Sequence, residues 1–122
     1  MRSRRSLTKE ADRIFSLYIR NRGETYGYNH CYTCPAYMPI EELQCGHFRP
    51  RRYLNTRWHP FNCWPQCNTC NVEMGGNLTK YKNKLVAQYG LDAVTAICEL
   101  STAPEKITDE YIRNIIKTYK ST

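Results

Sequence analysis

A chain of 122 residues, 41% hydrophobic and 12% aromatic, has room for one domain and little surplus core. Eighteen Lys and Arg against eleven Asp and Glu give a formal charge of +7, which favours a polyanionic partner, nucleic acid before membrane. The longest purely aliphatic run is Leu85–Ala87, which excludes a membrane span, and the basic start Met1-Arg-Ser-Arg-Arg-Ser lacks the apolar core of a secretory signal, so an intracellular, thiol-reducing setting is expected.

In chain order, Leu7, Ala11, Ile14/Phe15 and Tyr18 recur on one face and predict a helix within residues 1–22. Residues 23–77 read differently. They hold only four of the nineteen Ile, Leu and Val but six of the seven cysteines. Pro35, Pro39, Pro50, Pro60 and Pro65 reduce this stretch to loops with short strands. Burial alone cannot offset the ordering entropy of such a segment, so a metal is expected to hold it. A second helix is predicted over Leu78–Tyr89, with Asn77 as its N-cap and Gly90 as its stop. A third covers about Asp92–Leu100, with Val94, Ile97 and Cys98 inward. A fourth starts near Thr108 or Asp109 and turns Ile112, Ile115, Ile116 and Tyr119 to the core. The fold class is α+β, mostly α. One domain, 1–122, comprises an N-terminal helix (1–22), a central core (28–90) and C-terminal helices (91–122).

Cys31-Tyr-Thr-Cys34 and Cys67-Asn-Thr-Cys70 are two C-x-x-C knuckles separated by 32 residues. Each tight turn aims two thiolates at one ion, and the pair completes a tetrahedral, closed set for a structural Zn²⁺. Cys45 and Cys63 either replace a knuckle cysteine or are small buried residues, and the second is favoured. Cys98 reads as core, and His30 as a surface residue or a neighbour of the first knuckle.

The charge is also uneven. Residues 45–85 carry Arg49, Arg51, Arg52, Arg57, Lys80, Lys82 and Lys84 against Glu73 alone. With Phe48, Tyr53 and Trp58 available for stacking, this stretch is expected to grip phosphates.

Between the knuckles lies Cys45-Gly-His47-Phe; Asn62 follows fifteen residues after His47, and Asn71 nine after that, directly behind Cys70. This His–Asn–Asn series inside a four-cysteine bracket resembles the zinc-containing HNH nucleases, closest to the phage NinG/Rap recombination proteins. The shared residues are the lead-in Ala11–Arg20, Cys45–Phe48, Asn62-Cys63, Cys67–Asn71 and Gly76-Asn77. The resemblance implies a ββα-metal (His-Me finger, treble-clef-like) core and an endonuclease acting on branched DNA such as Holliday junctions. It implies His47 as general base, Asn62 as the residue that fixes the loop and orients His47, and Asn71 as ligand to a catalytic Mg²⁺ or Mn²⁺. This sequence departs from the family where many HNH proteins place a metal-binding Asp or His before the histidine. Here that position is Gly46, and Glu73, Asn77, His59 and Cys45 are candidates to fill the gap. The competing readings are a non-catalytic zinc-binding DNA module and an RNA-binding zinc protein. Two cuts per junction would suit a homodimer, with other recombination proteins as further partners.

Overall fold

The computed structural model describes residues 2–120, with five α-helices and four short strands among them. Helix α1 (Arg4–Asn21) is capped by Ser3, whose side chain accepts from the Ser6 amide. Its buried stripe of Leu7, Ala11, Ile14, Phe15 and Ile19 packs on Ile112 and Ile116 of α5 (Asp109–Tyr119). Each fully buried aliphatic or aromatic side chain contributes about 1.5–3 kcal/mol here. Thr108, one of the two predicted starts, caps α5 and accepts from the Tyr111 amide.

The proline-rich centre forms two antiparallel pairs of strands. β1 (Tyr28–His30) pairs with β2 (Tyr37–Pro39), and β3 (Gln44–His47) pairs with β4 (Cys63–Gln66). A one-turn helix, α2 (Leu54–Arg57), lies between β3 and β4. After β4 come a π-helical turn, Thr69–Glu73, and then α3 (Leu78–Tyr89), which has the predicted bounds. Gly90, at φ +93°, breaks the chain into α4 (Leu91–Thr102), one residue earlier and two later than the sequence estimate.

Two expectations for the centre need correction. Phe48 and Trp58 are not stacking platforms. Phe48 packs with Tyr32, Tyr81, Leu85, Val94 and Ile97, and Trp58 joins the α1–α5 core. Aromatic rings therefore replace part of the aliphatic core missing from this stretch. Asn77 stands at the N-terminus of α3 but makes no side-chain cap. It adopts a left-handed conformation (φ +49°), and its amide donates instead to Thr33 O (3.3 Å) and Cys70 Sγ (3.6 Å).

Tyr81 of α3 anchors the centre. Its buried hydroxyl donates to Gly46 O (2.7 Å), with Asn62 O at 3.3 Å, so α3 holds both β3 and the entry to β4.

Candidate functional site

The first site is the cysteine cluster. The sulfurs of Cys31, Cys34, Cys67 and Cys70 all lie within 4.8 Å of one another. Cys34 and Cys67 are 3.7 Å apart, close to the edge of about 3.8 Å expected for a tetrahedron of thiolates around zinc. Donors suited to thiolate surround the cluster: the Cys70 amide to Cys67 Sγ (3.5 Å) and Asn77 Nδ2 to Cys70 Sγ (3.6 Å). Burial opposes ionisation of Cys31, yet hydrogen bonds from the backbone of Cys67 and Thr33 outweigh it and bring the thiol down to about 7. Burial pushes the Cys34 thiol up to about 12, and its three sulfur neighbours add to the rise; a cation would relieve that repulsion. The cluster could hold a structural metal such as zinc, and all four ligands come from the predicted knuckles.

The second site lies on the face of the β3–β4 ribbon that packs toward α1, where Cys63 joins the α1–α5 core. The register places His47 opposite Cys63, and Cys45 shares their face. His47 is packed against Arg57 of α2, and its Nε2 donates to Arg57 O at 2.8 Å. That bond fixes the neutral tautomer and leaves the lone pair on Nδ1. Burial lowers the pKa of His47, the Arg57 carbonyl opposes this, and the net value lies below the ordinary 6.5. The ring is thus neutral at pH 7.

Asn62 is fully buried and its amide is fully used. Oδ1 accepts from the Arg49 amide (2.7 Å), and Nδ2 donates to Arg49 O and Thr56 O, both 3.1 Å. It clasps the loop after β3 to α2, the element that carries the carbonyl on His47. Asn71 Nδ2 donates to Gln44 Oε1 (2.7 Å), so Oδ1 is its remaining ligand atom.

His47 and Asn71 meet at two adjoining clefts of about 410 and 280 Å³, which also share Cys45 and Arg51. Arg13, Arg20 and Arg57 line the larger one. Asp12 of α1 is the one acid among the described residues that line it, and sequence reasoning missed it. Its carboxylate takes Arg57 Nε (2.9 Å) and Nη2 (2.6 Å), Arg51 Nη2 (3.1 Å) and Trp58 Nε1 (3.0 Å). Burial raises the Asp12 pKa, but the hydrogen bonds and charges of Arg57 and Arg51 outweigh it, and the result is below normal. The missed signal was an acid on the polar side of a helix whose opposite face is apolar.

The remaining predicted residues scatter. Arg49 is turned away, its Nε donating to Ser101 Oγ (3.0 Å), and Arg52 meets the Tyr53 hydroxyl. Lys80, Lys82 and Lys84 are exposed on α3, and Lys84 lies over the Tyr32 ring at 4.2 Å. Neither Glu73 nor Asn77 lines the clefts: Glu73 accepts from Asn68 and Thr69, and Asn77 faces the cysteine cluster. His59 accepts from the Phe61 amide through Nδ1. The gap at Gly46 has a packing cause. A Cβ there would collide with the buried Gln66 side chain, with Cγ at 2.6 Å.

The molecule is thus a mostly helical α+β protein with a four-cysteine cluster fit for a structural metal, beside a basic cleft around a neutral histidine. No helix of the described residues is long and apolar enough to cross a membrane. The chain belongs to the bacteriophage lambda NinG family: the family model described as "Bacteriophage Lambda NinG protein" matches residues 1–122. It is similar to the NinG protein of Escherichia phage lambda, with 28% identity over 90 residues, 73% of this chain and 42% of that protein. The chain therefore spans under half the length of that relative. No solved structure matches.

Proposed function

We propose that this protein is an HNH-type, metal-dependent endodeoxyribonuclease that cuts branched or structured DNA. The observation that carries the reading is the Arg57 carbonyl on His47 Nε2, which presents a neutral Nδ1 beside Asn71 and an arginine-lined cleft. His47 takes a proton from the attacking water through Nδ1. Asn62 acts by positioning, because its amide is consumed in holding the loop and α2 together. Arg13, Arg20 and Arg51 draw the DNA backbone into the cleft, and Arg57, its guanidinium held by Asp12 and Arg51 O, adds to the positive field of the wall. Asn71 Oδ1 would hold a hard divalent ion, Mg²⁺ or Mn²⁺, which when bound stabilises charge developing on the phosphate and the leaving 3′ oxygen. In this reading β3, β4 and α3 make the ββα unit, and the cysteine cluster ties its ends. Branched DNA as the substrate rests on the resemblance to the NinG/Rap recombination proteins.

One observation favours the non-catalytic DNA-binding reading. Asp12, the one acid among the described residues that line the cleft, is committed to two arginines, and the place before His47 is closed by Gln66. Cleavage of four-way junction, flap and linear DNA with Mg²⁺ or Mn²⁺ decides the matter. Junction cleavage that falls at least 100-fold in His47→Ala supports the nuclease. Equal, background-level cleavage by both proteins with DNA binding retained would sink it.

A further inference from the structure

Cys45 and Cys63 belong neither to the four-cysteine cluster nor to the proposed chemistry, yet they stand beside its central residue. Cys45 Sγ, Cys63 Sγ and a ring nitrogen of His47 lie within 4.8 Å of one another. The cause is the β register: His47 faces Cys63 directly, and Cys45 precedes His47 by two on the same face. A tetrahedral ion with thiolates at about 2.3 Å and an imidazole nitrogen at about 2.0 Å would need these atoms drawn together by about 1.2 Å at most. Access is from one side. Cys63 is fully buried, whereas Cys45 and His47 are half-buried and line both clefts.

We propose that Cys45, His47 and Cys63 form a second metal site, selective for a soft divalent ion such as Zn²⁺, whose occupation silences His47. Two thiols and one imidazole suit zinc or cobalt and do not suit Mg²⁺. Binding releases the two thiol protons to solvent, and two thiolates neutralise the ion, so the filled site carries no net charge into the core. Three protein ligands leave a fourth position open to the cleft. A neutral imidazole has one lone pair, and once it is coordinated His47 has none left to take a proton from water. The regulatory consequence rests on the nuclease reading; the metal site itself does not.

The test uses the full chain, reduced and carrying one equivalent of Zn²⁺, titrated with Co²⁺. The wild type is expected to take up one further equivalent with thiolate-to-cobalt charge-transfer absorption and without releasing its zinc. Cys45→Ala, which removes the half-buried ligand and spares fully buried Cys63, is expected to bind this second ion at least tenfold more weakly while keeping the first zinc and its unfolding midpoint. His47→Ala should lose it likewise. No cobalt uptake by the wild type, uptake matched by zinc release, or undiminished charge-transfer absorption in Cys45→Ala would each overturn the site. In a junction-cleavage assay with Mg²⁺, raising zinc from one to two equivalents should cut the wild-type rate at least tenfold and the Cys45→Ala rate less than twofold. Equal inhibition of both would refute the silencing. Absence of wild-type cleavage at one equivalent would count against the nuclease reading and against silencing, with the cobalt titration still deciding the metal site.

Discussion

Asp12→Asn separates a working ion-pair cluster from surface decoration. In the native protein the Asp12 carboxylate is about a quarter exposed and grips Arg57 through two bonds, with Arg51 and Trp58 adding one each. Asparagine keeps the shape and one acceptor but turns an NH₂ toward Arg57, and the charge is lost. A charge-assisted hydrogen bond contributes about 1.5–3 kcal/mol, and stranding a partly buried arginine adds to the loss. Discounted for partial exposure, Asp12→Asn should cost about 2–3 kcal/mol, or roughly 10 °C in Tm for a domain of this size. Arg51, with its side chain 60% exposed, contributes much less, so Arg51→Ala should cost under about 0.5 kcal/mol. Urea unfolding at unchanged m-value measures both. The lowered pKa fixes the pH sign: Asp12 stabilises the fold above its unfolded pKa, and the contribution is lost as pH falls through the lower native value. The gap between wild type and Asp12→Asn should therefore be full at pH 7 and close below the ordinary carboxylate value of 3.8. A loss under about 0.5 kcal/mol, or one that does not change with pH, would refute this account.

Metal analysis should find one tightly held zinc per chain, and Cys67→Ser should lose it together with the order of the centre; zinc content and far-UV circular dichroism check both. Gly46→Ala should destabilise by about 1–3 kcal/mol, measured by thermal unfolding, because the new methyl group displaces buried Gln66. DNA affinity should fall steeply with salt, and Arg13→Ala should reduce the log–log slope by about 0.9, because one cleft-lining cation is removed. A flat salt dependence would remove the role given to the cleft arginines.

The helices and the cysteine cluster were legible because they rest on local periodicity and short spacing. The stripe from Leu7 to Tyr18, the Gly90 stop and the Thr108 cap each need only a few neighbouring residues to act. The two C-x-x-C turns each present a pair of thiols, so meeting in space was their one open question, and the structure answers it. The motif spacing also brought His47 and Asn71 to one cleft, while Asn62, expected to fix the loop, spends its whole amide on the backbone of Arg49 and Thr56.

Long-range geometry decided the rest. Asp12 lies 45 residues from Arg57, and only the crossing of α1 over the β3–β4 ribbon joins them. Basic residues that look alike in sequence diverge in space: Arg49 braces α4, Arg51 and Arg57 serve Asp12, and the lysines of α3 stay on the surface. Phe48 and Trp58, which composition offers to nucleic acid, fill the aliphatic deficit instead. Strand register, which no local pattern specifies, set Cys45 and Cys63 beside His47. Sequence by itself determined which groups the chain has and how its local segments turn; tertiary structure decided which of them are spent on each other and which face the cleft.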